Sequence, residues 1–391
     1  MTCIIMLIYS LTNDNYIMNK LKTGIVGCGK VAHLHAKALV ELEQSEFLAI
    51  SSRSEANRNE FASKYKVKAY INVEEMVQTE KLDVVIVCTP HPAHTEPAVI
   101  AMESGAHVLV EKPMAACLAD CDEMIKASES RSKILGVVSQ RRFYESSMRI
   151  RRAIDDGKIG RPVLGIVYML SWRDEAYYRS DTWRGKWIEE GGGVLVNQAP
   201  HQLDMLQWYM GEPEELFGIW TNLNHPYIEV EDTAIAVIRF SGGGLGNIIL
   251  SNSQKPGIYT KVHIHGENGA SVGVQTDIGS MFVAGMNGIQ EAPYNDIWTI
   301  PGEENCPEVW KEQDDAFFKS INPMEYYIQL QVEDFLFAVL NHGKPMISGE
   351  EGRKTIELFT AVYRSQRDDR PVKWPLKPEK DKEDFDGRVL I

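Results

Sequence analysis

A glycine turn set between a strand and a helix constrains this chain more than any other feature. The run GIVGCGKVA at residues 24 to 32 follows an apolar strand and opens a segment with apolar residues at helical spacing. In such a turn Gly27 permits the tight bend, Gly29 lets backbone approach a phosphate, and Ala32 takes the third position, where helix packs on strand. The helix N-terminus then offers N–H groups to a pyrophosphate, with Cys28, Lys30 and Val31 beside it. The surroundings agree with a dinucleotide-binding sheet. From residue 21 to about 139 short apolar runs (FLAISSR, VVIVCTP, HVLVEKP, ILGVVSQ) alternate with helical periodicity, as a doubly wound parallel sheet with crossover helices requires.

The second half changes character. After a helix at residues 145 to 156 and the turn GKIGRP come strand candidates PVLGIVYMLSW, ELFGIWTNL, TAIAVIRF, GLGNIILSNS, YTKVHIHG and ASVGVQT, several joined by glycine or asparagine turns. An open, mostly antiparallel sheet with helices on one face follows, interrupted by a helix near residues 193 to 210 and closed by helices near 325 to 341 and 350 to 366 and a charged tail. The 391 residues exceed one ordinary core. We divide them into an N-terminal extension (1–20), a Rossmann dinucleotide-binding domain (21–140) and an α+β substrate domain (141–391). The apolar start MTCIIMLIYSL has no basic flank and no cleavage site, and Met18 stands where such a chain naturally begins, so residues 1 to 17 read as an upstream-start extension.

Composition excludes more than it selects. A net charge of -14 disfavours nucleic acid and anionic lipid as partners, and no apolar run reaches membrane-spanning length. The six cysteines are too sparse for a disulfide framework and lack zinc-site spacing, so no metal is expected and a reducing cytoplasm fits. Cys117 and Cys121 share a helix face and read as small buried side chains.

At the end of the second strand an NAD-specific site usually offers a carboxylate to the adenosine ribose, whereas this chain has Ser51, Ser52, Arg53 and Ser54. Hydroxyls and a guanidinium suit a 2'-phosphate, which puts NADP slightly ahead of NAD. Arg53 as a solvated or adenine-stacking residue keeps NAD open. Thr89, Pro90, His91 and His94 lie where a later strand would meet the nicotinamide ribose, and either histidine serves equally well as a helix-capping surface residue.

Far downstream, GGGVLVNQAPHQLDMLQW at residues 191 to 208 feeds Asn197 and His201, four apart, onto one face of a single helix. Read with the EKP at residues 111 to 113, it suggests hydride transfer on a polar substrate. The preceding stretch, residues 172 to 187, interleaves aromatics and arginines. Aromatic faces stack on sugar C–H surfaces and guanidinium groups bind vicinal hydroxyls, which nominates Trp172, Arg173, Tyr178, Trp183 and Arg184 as contacts to a carbohydrate or cyclic polyol. For any one of them an aromatic cluster at an interface is the competing account.

With GIVGCGKVA, CTPHPAH, EKP, QRRF with GKIGRP, and GGGVLVNQAPHQLD in this order, the chain resembles the glucose-fructose oxidoreductase, inositol dehydrogenase and rhizopine-catabolism (Gfo/Idh/MocA) family over nearly its whole length. The resemblance implies a Rossmann domain followed by an open-faced sheet domain through which a homo-oligomer forms. It implies that Glu111 and Lys112 stand at the cofactor, that Lys112 also meets substrate, that the Lys112-Pro113 peptide is cis, and that His201 exchanges a proton. Asn197 stands where inositol dehydrogenases have aspartate, and an amide takes no proton, so Asn197 is expected to orient a hydroxyl. An ordinary histidine titrates near neutrality while a lysine needs its pKa lowered, so His201 is expected to exchange the proton and Lys112 to polarise the reacting oxygen.

Three functions compete. The first is an NAD(P)-dependent oxidoreductase acting on a secondary hydroxyl of a sugar, glycoside or cyclic polyol, with ring carbon 3 the expected position, or reducing the keto sugar. The second is a glycoside-cleaving enzyme with transient redox chemistry, whose usual twin-arginine signal this sequence lacks. A noncatalytic cofactor sensor is third, disfavoured by the presence of both Lys112 and His201.

Overall fold

The computed structural model describes residues 20–276, 281–283, 286–288 and 291–379. The N-terminal extension, apart from its last residue, and the end of the charged tail lie outside the described residues.

The first domain alternates β1 (Leu21–Val26), α1 (Ala32–Glu41), β2 (Ser45–Ser51), α2 (Glu55–Tyr65), β3 (Lys68–Tyr70), α3 (Val73–Glu80), β4 (Val84–Val87), α4 (Thr95–Glu103), β5 (His107–Val110), α5 (Leu118–Arg131) and β6 (Leu135–Val137). Its strands form one parallel sheet in the order β3-β2-β1-β4-β5-β6. Residues 84 to 87 are all fully buried, because helices cover both faces of a parallel sheet and its central strands must be apolar throughout. The strand order reverses between β1 and β4, so the turns that follow these two strands flank one crevice at the carboxyl edge.

The second domain adds α6 (Glu145–Asp155), β7 (Pro162–Leu170), short helices α7 (Glu175–Arg179) and α8 (Trp187–Glu190), α9 (Pro200–Met210), β8 (Pro213–Thr221), β9 (Thr233–Phe240), β10 (Leu245–Ser251), β11 (Tyr259–Gly266) and β12 (Ser271–Thr276). There follow β13 (Met281–Val283), β14 (Met286–Gly288), β15 (Tyr294–Trp298), α10 (Cys306–Ser320), α11 (Pro323–Leu340), α12 (Gly349–Asp368) and β16 (Val372–Lys373). Eight strands make a sheet in the order β15-β12-β11-β7-β10-β9-β8-β16, antiparallel except for the β7–β10 pair. Alternation in β9 shows how it is faced. Ala234, Ala236, Ile238 and Phe240 are buried beneath the helices, whereas Ile235 and Val237 are 43% and 58% exposed on the open side.

Two features depart from the sequence reading. The segment at residues 193 to 210 is not one helix: Val194–Gln198 forms a π turn, and α9 begins separately at Pro200, whose ring cannot donate to the preceding ladder. In addition α11, sequentially in the second domain, packs on α1, and its Ile328, Val332, Phe335 and Leu336 share a core with Ile25, Leu34 and Leu39. The last part of the chain thereby completes the first domain and fastens the two together.

Candidate functional site

At the carboxyl edge of the parallel sheet, a cleft of about 1120 Å³ runs from the end of β2 to the π turn of the second domain. Gly27 has φ +102°, and a Cβ there would lie 2.7 Å from the Cys88 carbonyl oxygen, so only glycine brings β1 and β4 this close. A Cβ on Gly29 would meet nothing within 4 Å, which leaves its backbone facing the open cleft. Val31, at the N-terminus of α1, makes no side-chain cap hydrogen bond, which leaves the positive end of the helix uncapped by that residue. Cys28, Lys30 and Val31 line the cleft with them. This cradle fits a pyrophosphate, and a dinucleotide held by it would extend toward Ser52 and Arg53 in one direction and toward Thr89 and Pro90 in the other. Arg58 donates from Nη1 to the Ser52 carbonyl oxygen at 2.6 Å and stiffens the ribose end. His94 borders the cleft, but its ring nitrogens lie 2.7 Å from the Thr89 oxygen and 3.1 Å from the Pro113 oxygen, so it braces two loops and has no ring nitrogen to spare for a cofactor.

Lys112, Asn197 and His201 meet at the other end. The Lys112-Pro113 peptide is cis. Glu111 lines the cleft beside it, held by His35 Nε2 at 2.7 Å and by the Lys112 amide at 3.0 Å. Lys112 Nζ crosses between the domains to donate to the Asn197 carbonyl oxygen at 3.1 Å. The π turn presents that oxygen, and Glu231 shapes the turn by accepting from the amides of Gly193 at 2.8 Å and Leu195 at 3.0 Å. A Cβ on Gly193 would sit 1.9 Å from the Glu231 carbonyl oxygen, which explains why the turn needs glycine there.

Burial governs protonation in this enclosure. It pushes Lys112 down to about 8, with Arg141 and Arg184 acting the same way against Glu111 and Glu190. It also pushes His201 well below the usual imidazole range, aided by Arg141 and Lys112. The expectation that His201 titrates near neutrality therefore fails. The condition set for Lys112, a pKa lowered by burial, is met.

Of the aromatic stretch, Trp183 and Arg184 line the cleft, the Arg184 guanidinium lying 4.4 Å from the Trp183 ring centre and 4.5 Å from that of Tyr177. Trp172, Arg173 and Tyr178 do not line it. Trp172 and Tyr178 pack on His225 at 5.3 and 5.5 Å, and the Arg173 carbonyl oxygen lies 2.7 Å from the second ring nitrogen of that histidine. Adjacent residues of the short helix α7 point about 100° apart, so it is Tyr177, not Tyr178, that borders the cleft. Sequence reasoning also missed Arg141, Glu190 and Gln198. The arginine of QRRF and the glutamate preceding the glycine run were visible, but nothing in their spacing tied them to Asn197.

Relatives share this architecture. Residues 21–139 match the family model described as the Gfo/Idh/MocA oxidoreductase family, NAD-binding Rossmann fold, and residues 147–272 match a C-terminal domain model of the same family. The chain is 26% identical over 358 residues, 90% of its length and 98% of the relative's, to myo-inositol 2-dehydrogenase of Thermotoga maritima. It is 27% identical over 247 residues, 58% of its length and 68% of the relative's, to D-glucoside 3-dehydrogenase of Escherichia coli. The crystal structure of the WlbA dehydrogenase from Bordetella pertussis in complex with NADH and UDP-GlcNAcA superposes with a TM-score of 0.81 and 26% identity, covering 93% of this chain and 100% of that one. With the glycine cradle, the sheet order and the lysine–histidine pair on the same scaffold, the chain belongs to the Gfo/Idh/MocA family of oxidoreductases and carries its NAD-binding Rossmann domain.

Proposed function

We propose that this protein oxidises a secondary hydroxyl of a sugar, glycoside or cyclic polyol, at ring carbon 3, or reduces the corresponding ketone. The carrying observation is the contact of Lys112 Nζ with the Asn197 carbonyl oxygen, which brings Lys112, Asn197 and His201 into the cleft that the glycine cradle opens. The relatives named above act on or were crystallised with polyhydroxylated rings, and the Trp183 ring with the Arg184 fork supplies stacking and hydrogen-bonding groups for such a ring.

Bound in the cleft, the dinucleotide supplies the two-electron acceptor. The remaining chemistry belongs to the side chains. Lys112, with its pKa brought near the working pH, accepts the hydroxyl proton at Nζ. His201, kept neutral by burial, hydrogen-bonds the reacting oxygen and holds it toward Lys112. These roles exchange the ones expected from the sequence. The Ser52, Arg53 and Ser54 edge carries no carboxylate, so we take NADP to be accepted along with NAD. The apolar residues on the open sheet face, Phe217, Ile219, Ile235, Val237 and Leu245 among them, suit a second copy of this chain. The five free cysteines among the described residues suit a reducing cytoplasm.

A spectrophotometric screen of myo-inositol, glucose, methyl glucosides and glucuronate with NAD and NADP tests the activity. Growth of the reduced-nicotinamide band with one of these rings supports the reading. Silence across the panel in both directions, with keto sugars and reduced cofactor for the reverse, overturns it.

A further inference from the structure

Position 197 carries no charge, yet the fold brings a carboxylate against it. Glu190, the last residue of α8, is 1% exposed. One of its oxygens accepts from the Gly185 amide at 2.5 Å, and the other accepts from the Asn197 side-chain nitrogen. The same nitrogen lies 3.2 Å from the Tyr177 hydroxyl oxygen, which also accepts from Arg184 Nη1 at 2.7 Å and Gln198 Nε2 at 2.8 Å. An ionised carboxylate only accepts, so its presence decides which end of the amide faces it. With Nδ2 spent on Glu190 and Tyr177, planar geometry turns Oδ1 the other way.

We propose that Glu190 is a positioning residue that locks the Asn197 amide with its oxygen toward the cleft, where it accepts a hydrogen bond from a substrate hydroxyl neighbouring the reacting one. The substrate half of this inference rests on the ring-alcohol reading above. A buried acceptor aimed at a hydroxyl discriminates strongly against an analogue that lacks it, because the acceptor would then go unpaired.

The lock depends on the charge of Glu190, and its surroundings set that charge. Burial raises the carboxyl to about 7 against the pull of the Gly185 and Asn197 donors and of Arg184, while Glu231 raises it further. Lys112, Tyr177, Tyr178 and Tyr363 also face it. Protonation converts one acceptor oxygen into a donor, which pairs with Oδ1 and turns the amide nitrogen to the cleft.

Two measurements on the full chain test this. In ligand-free protein labelled with ¹⁵N-asparagine, the side-chain signal of Asn197, identified by its loss in Asn197→Ala, should titrate with a midpoint near pH 7, and should stop doing so in Glu190→Gln. A signal that neither moves between pH 5.5 and 8.5 in the folded wild type nor changes position in folded Glu190→Gln overturns the lock. In kinetics on myo-inositol or methyl glucoside, Glu190→Gln should raise KM about tenfold with a smaller change in kcat, Glu190→Asp should recover part of it, and Glu190→Gln with Asn197→Ala should be no worse than Asn197→Ala alone. Additive losses would overturn the coupling. If the wild type turns over none of these rings, the functional reading fails while the titration still decides the lock.

Discussion

Lys112 and His201 share one enclosure, and burial disfavours the charged form of each. In the proposed reaction this suits Lys112 to act as the base and His201 as a neutral hydrogen-bonding group. Oxidation requires the uncharged amine, so turnover should rise as pH rises through about 8 and level off above it. Lys112→Met should lower kcat by about a hundredfold and abolish that limb while dinucleotide affinity, measured by fluorescence titration, stays near wild type. A limb that survives in the variant would return the proton to His201. From the sequence alone, Asn197→Asp would add a charge beside His201 and shift the limb upward. With Glu190 already against this amide, the two carboxylates would instead share a proton. The limb should therefore move little, and a full unit of upward shift would show that Asp at 197 carries its own charge.

At the scale of elements, the π turn decides where Asn197 and Lys112 meet, and two features of the chain hold it. Glu231 caps its amides, and Gly193 leaves room for the Glu231 carbonyl. Gly193→Ala should displace the turn and cost turnover a hundredfold or more with dinucleotide binding retained, because the cradle at Gly27 and Gly29 lies on the other domain. Near-normal kcat would mean the turn relaxes without moving Asn197. At the end of β2, Ser52→Asp should repel a 2'-phosphate and shift the Kd ratio toward NAD at least tenfold. A wild type that already binds NAD far more tightly than NADP would refute the ribose reading. The glycine cradle was legible because strand, turn and helix are local in sequence. The π turn was not, since its cap comes from Glu231, 38 positions away.

Across the whole molecule, the open sheet face and the buried carboxylates make separate claims. Phe217 pairs with Val237 and Ile219 with Ile235 in neighbouring strands, forming an apolar patch on the side without helices. If this patch joins two copies of the chain as proposed, Val237→Lys with Ile235→Glu should lower the mass in light scattering to that of a monomer without lowering dinucleotide affinity; a wild type that is already monomeric, or a mass the substitutions leave unchanged, would refute this interface. Glu190 and Glu231 both stand near 7 in the folded chain against an ordinary 4.5, burial being the main cause. The folded state keeps protons that the unfolded state releases, so this stabilisation is complete below about 4.5 and is lost as pH rises through 7. Between pH 5.5 and 8 the Tm of wild type should fall several degrees further than that of Glu231→Gln, as calorimetry would record.

Local pattern determined the glycine cradle, the two-domain order and the alternating strands of the open sheet, because each is written in contiguous residues or in spacing along one element; Lys112 and His201, 89 positions apart, were paired only through the family resemblance. The sequence reading left β15 and α10 unassigned; in α10 Phe318 is the one buried residue, so its periodicity is faint. Tertiary structure alone decided the protonation of Lys112 and His201, which depends on burial and on Arg141 and Arg184 arriving from other elements. It also decided that Tyr177 and not Tyr178 borders the cleft, and that the Asn197 amide packs against the Glu190 carboxylate. Charge state and side-chain direction are set by neighbours distant in the chain, and spacing within one segment does not encode them.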